Sequence, residues 1–144
     1  MTSRESIYSA LFALVQSAAQ FKTQSRRFIA WTEIPPESQP AIMQIQKRET
    51  PTNVTGMATP WRLEVDLVIC VSAIGDMTTS PSIVLNPILD AVTALFAPEN
   101  FPANNKQTLG GLVYVARISG AIETDEGVLG SQALAIIPIE IITN

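Results

Sequence analysis

Residues 61–71, WRLEVDLVICV, alternate with the period that a β-strand requires. Trp61, Leu63, Val65, Leu67, Ile69 and Val71 fall on one face, and Arg62, Glu64 and Asp66 on the other. From Val68 onward the second face turns apolar too, through Val68 and Cys70, which predicts burial on both sides at that end. A strand this apolar needs neighbouring strands and a layer packed on it.

The rest of the chain supplies both. Residues 41–49 alternate, with Ala41, Met43 and Ile45 on one face and Gln44, Gln46 and Arg48 on the other. Phe28, Ile29, Ala30 and Trp31 form a short β-like run, stopped by Pro35, Pro36 and Pro40. Residues 112–123 alternate loosely and residues 131–143 are rich in isoleucine. Thr124-Asp125-Glu126-Gly127 reads as the turn joining them in an antiparallel hairpin. Pro138 has no N–H for a ladder and is expected at a sheet edge or a bulge.

Two helices complete the pattern. Thr2 and Glu5 have the spacing of a capping box, followed by Ile7, Leu11, Leu14, Ala18 and Phe21 at three- and four-residue steps. That predicts a helix of about five turns. Ser80 and Pro81 read as the N-cap and first residue of a second helix, with Leu85, Ile88, Leu89, Val92, Leu95 and Phe96 as its stripe. Pro87 either kinks this helix or lies in the first turn of one starting at Asn86. The expected fold is α+β, a single domain over residues 1–144. It has a mostly antiparallel sheet of four to five strands, two helices on one face, and the order α-β-β-β-α-β-β.

Composition narrows the function classes. The chain carries nine basic and thirteen acidic side chains and no histidine, for a net charge of −4. Residues 1–72 hold seven basic and six acidic side chains; residues 73–144 hold two and seven. The acidic second half offers no basic patch for nucleic acid. Charged residues make up 15% of the chain, against about a quarter in an average domain, which favours a surface partly covered by neighbouring subunits. The single cysteine, Cys70, allows no intrachain disulfide and suits a reducing compartment. The first residues read as an amphipathic helix of the mature protein rather than a signal sequence, and no stretch approaches the length of a membrane span.

Catalytic chemistry is hard to find. Without histidine there is no Ser-His or Cys-His pair, and one cysteine cannot assemble a zinc site. Gly110-Gly111 lacks a phosphate-loop context and reads as a sharp entry into a strand. No catalytic, cofactor or metal residue is expected. Glu123, Asp125 and Glu126 read as a solvated turn or as an acidic edge facing a partner or a lumen; paired catalytic carboxylates would have to face across a cleft. Lys47 and Arg48 read either as an interface pair or as a solvated strand end. Trp31 and Trp61 are expected in the core, with an exposed anchor as the alternative. The loops at 50–60 and 98–110 are candidates for contacts between subunits or rings, through Asn53, Thr55, Met57, Asn104 and Lys106.

The order of these segments resembles one family across nearly the whole chain. The opening RESIYSALFALV, Gln39-Pro40-Ala41, Cys70-Val71, Thr79-Ser80-Pro81, Gln107-Thr108-Leu109-Gly110-Gly111 and Pro138-Ile139-Glu140-Ile141 together look like the tail-terminator or tail-completion proteins of long-tailed bacteriophages. The resemblance implies an α+β virion subunit, made in the host cytoplasm, that forms a ring, commonly six-fold, at the head-proximal end of the tail tube. Its partners would be itself, the tail-tube protein and the head–tail connector or stopper protein, with no membrane. DNA would be only passing cargo, and an acidic lumen edge would let it slide. The alternatives are a head-completion or stopper protein of the neck, a tail-tube subunit, a small hydrolase, and a stand-alone ligand-binding domain.

Overall fold

The computed structural model describes residues 2–52, 56, 59–73, 80–98, 106–126 and 131–144. Helix α1 spans Arg4–Gln16 and α2 spans Pro81–Leu95. The strands are β1 (Thr23–Ser25), β2 (Ala41–Pro51), β3 (Trp61–Ser72), β4 (Val115–Ile118), β5 (Glu123–Asp125) and β6 (Gln132–Ile142). The sheet order is β1-β2-β3-β6-β4, with β5 also paired to β6. The β1–β2 pair is parallel and the rest are antiparallel, so the sheet is mixed and has six strands rather than four to five.

Strands β3 and β6 form the centre. Their ladder pairs Leu67 with Ile137, Val65 with Ile139 and Leu63 with Ile141. These residues are buried, and together with Ile7, Tyr8, Leu11 and Val15 of α1 and Leu85, Ile88 and Val92 of α2 they make one core. Both helices therefore cover the same face. Ala133 and Ala135 of β6 belong to that core too, and their small side chains leave room for the helix layer.

The opposite face is covered only at one end. There Ile34, Ala41, Met43, Val68 and Cys70 form a smaller buried cluster with Ile29, Ile45, Leu134 and Ile136 against it. This accounts for the apolar second face of β3 beyond Val68. Phe28–Trp31 is not a strand. The polar segment Thr23–Ser25 pairs with Ala41–Met43 instead, and residues beyond it fold over the open face, with a 3-10 turn at Trp31–Glu33.

Other details differ from the sequence reading for local reasons. Ser3, not Thr2, caps α1, its Oγ accepting from the Ser6 N–H at 3.2 Å. Glu5 then falls one position short of a capping box, and its carboxylate turns outward to Arg26. Helix α1 ends at Gln16, where the Ser17 hydroxyl donates to the Leu14 carbonyl at 2.6 Å; Phe21 still reaches the core from the turn beyond. In β2 the register shifts between Gln46 and Arg48. That bulge returns Arg48 to the open face opposite Glu64 and brings Glu49 to the face of Leu63 and α1, so Gln46 and Arg48 do not share a face.

Helix α2 does begin at Pro81 and carries Pro87 inside it. Pro138 lies in β6, not in an edge strand. Its carbonyl accepts from Ser119 N–H at 2.9 Å in the gap between β4 and β5, so its missing donor faces a break in the pairing. Gly110 and Gly111 hold φ of +72° and +90°, the left-handed turn expected at the entry to β4.

Candidate assembly surfaces

The open sheet face carries the candidate cations. Lys47 Nζ lies 3.3 Å from Asp66, and Arg48 Nε donates to Glu64 at 2.6 Å. Glu140 takes Arg62 at 3.1 Å from one side and Arg117 at 2.7 Å from the other. The result is a lattice of cross-strand ion pairs over four strands, in which each charge is tied to another of the same chain. Hydrogen bonding by Arg48 holds the Glu64 carboxyl below its ordinary range.

Glu123 and Asp125 are not in a hairpin turn. They lie in β5, registered opposite Ile136 and Leu134 of β6, because the polar stretch finds an unpaired length of β6 beyond Pro138. With Thr124 and those two apolar side chains they line a groove of about 500 Å³. A second cavity brings Glu123 and Lys47 together, across Asp66, Ile136 and Pro138. The sequence reading had put these two residues on separate surfaces.

Glu126 has a different role. Its Oε1 accepts from the Ser80 hydroxyl at 2.5 Å and its Oε2 from the Ser82 N–H at 3.0 Å, which places a carboxylate on the N-terminus of α2. These bonds, Ser80 first, hold its carboxyl below the ordinary value. It bonds to the start of α2 rather than joining the two β5 carboxylates at the groove.

Lys106 sits over the Tyr114 ring, 3.3 Å from its centroid. Asn53, Thr55, Met57 and Asn104 lie outside the described residues. Trp61 packs partly buried against the main core with Arg4 over its ring at 5.1 Å, whereas Trp31 is 36% exposed rather than core. Among the described residues, three large apolar side chains that sequence reasoning did not place at the surface stand well exposed: Phe28 at 61%, Ile83 at 63% and Tyr114 at 54%. Their only signal was an apolar residue beside polar ones, as in Arg26-Arg27-Phe28, which a core residue shares.

Among the described residues, no group of three or more His, Cys, Asp or Glu side chains is placed to hold a metal ion, and no helix is long and apolar enough to cross a membrane. Cys70 is buried in the smaller cluster, and burial pushes its thiol up to about 11. No protein-family model matches the chain, and no curated protein matches it.

Proposed function

We propose that this chain is a structural subunit of a long-tailed bacteriophage, of the tail-terminator type. In this reading it forms a ring, commonly six-fold, on the head-proximal end of the tail tube, ends tube growth and offers a surface to the head connector. The tail assignment draws on the resemblance of segment order.

The observation that carries the assembly role is how the side chains are used. The open-face charges are tied up in ion pairs within the chain, while Phe28, Trp31, Ile83, Val84 and Tyr114 stand exposed. Large apolar side chains at the surface beside internally neutralised charge suit contact with other protein subunits.

Electron microscopy of particles made when the gene is silenced tests the reading. Overlong tubes with unjoined heads are the expected result. Filled heads leaking DNA beside tails of normal length would move the subunit to the head side of the neck, as a stopper. Loss of tubes altogether would make it a tube subunit, and normal virions would overturn the proposal.

A further inference from the structure

We propose that the two lateral edges of the sheet are complementary docking surfaces, so that the β1 edge of one copy seats on the β5 edge of the next. This rests on the reading of the chain as a self-assembling subunit and adds which surfaces meet.

All nine basic side chains fall within the described residues. Six pair with carboxylates of the same chain, and Lys106 lies over Tyr114. That leaves two, Lys22 and Arg27, with no carboxylate partner among the described residues. Both flank β1, the strand at one end of the sheet. Next to Arg27 stands Phe28, 61% exposed, where the chain turns from the sheet edge onto the open face and Ile29 packs toward Met43.

The opposite edge has the converse features. Glu123 is exposed on β5, beside the groove of about 500 Å³ whose floor is Leu134 and Ile136. These two are only partly buried, although they adjoin the smaller core. One edge therefore presents an aromatic knob beside a cation, and the other an apolar groove beside a carboxylate. An aromatic side chain and an arginine are the residue types that anchor interfaces most often.

Within one chain these features cannot meet. The path β1-β2-β3-β6-β5 spans four strand spacings, about 19 Å. Their complementarity is usable only between copies. A contact between two different surfaces of the same subunit is heterologous, and it closes as a ring when the rotation per step allows. Phe28 of one copy fills the groove of the next and Arg27 meets Glu123, while opposite charge fixes the orientation.

Sedimentation velocity and native mass spectrometry of the purified full chain test this. The comparison uses the wild type, Arg27→Glu, Glu123→Arg, the double variant, and an equimolar mixture of the two single variants, with circular dichroism to confirm folding. The wild type is expected to assemble, and each single variant to lose the assembled peak. The mixture and the double variant should both recover it, because every contact then joins a Glu to an Arg. Phe28→Ala is expected to raise the concentration for half-assembly tenfold or more, about 1.4 kcal/mol per tenfold. Single variants that assemble like the wild type would overturn the surface assignment while leaving ring formation standing. Folded single variants that stay monomeric both mixed and combined would also overturn it. A wild type that remains monomeric would remove the self-assembling reading itself.

Discussion

The Tyr8 hydroxyl donates to the Glu49 carboxylate at 2.8 Å, joining the buried side of α1 to the far end of β2. Arg4 Nε reaches the other oxygen of the same carboxylate at 2.6 Å. The contact exists because the bulge at Lys47 turns Glu49 toward the helix, and the Gln44 side-chain amide, donating to the Tyr8 carbonyl at 2.9 Å, holds the helix at that distance.

Tyr8→Phe should cost about 1.5 kcal/mol at neutral pH, the scale of a hydrogen bond to a charged group. Burial first, and then Glu49, holds the tyrosine proton on above its ordinary 10.0. Burial pushes the Glu49 carboxyl up, but the bonds from Arg4 and Tyr8 outweigh it and leave it below 4.5. The Tyr8 contribution is therefore full below about pH 10 and lost as pH rises through its raised value. The Glu49 contribution is full above about pH 4.5 and lost as pH falls through its lowered value. Urea unfolding of both proteins across pH should show a gap that is widest in between and narrows toward each end.

Glu126 caps α2 from across the fold, so Glu126→Gln should lower the melting temperature at pH 7. Its carboxyl lies below the usual 4.5, so its contribution is present above that value and fades as acid protonates it. Melting curves of the two proteins should converge as pH falls through that lowered value. A constant gap would assign the loss to packing rather than charge.

Cys70 is 1% exposed and its thiol is held up to about 11. Iodoacetamide at about pH 8 should leave it intact in the folded protein and modify it fully once denaturant unfolds the chain. The check is a mass shift with and without denaturant.

Beyond its first three residues, β2 is not covered by β1 on the side away from β3. The bulge, the exposed Lys47 and the terminal Pro51 are devices that keep such an edge from pairing with another chain. Deleting Lys47 removes the bulge and the pair with Asp66. Light scattering should then show aggregation under conditions where the wild type stays clear.

The long strands β2 and β3 were legible from period-two patterning and β6 as an isoleucine-rich run. In β3 the pattern marks the buried face; in β2 both faces are buried from Ala41 to Gln44, with the polar Gln44 bonded under α1. The two short strands were not legible. Thr23–Ser25 and Glu123–Asp125 are polar triplets with no apolar rhythm, and what makes them strands is unpaired backbone on β2 and β6. The cap on α2 was half visible: Ser80 and Pro81 marked the start, but the capping group comes from Glu126, far along the chain. Lys47 and Arg48 were legible as a charged pair, and only their cross-strand partners show that both are already neutralised. Phe28 looked like a strand residue because apolarity alone does not report which side of a turn faces solvent.

Immunogold labelling of intact particles with antibody to this chain tests the central claim most directly. The account predicts gold confined to the junction of head and tail. Gold along the whole tail, or purified virions carrying none, would contradict it.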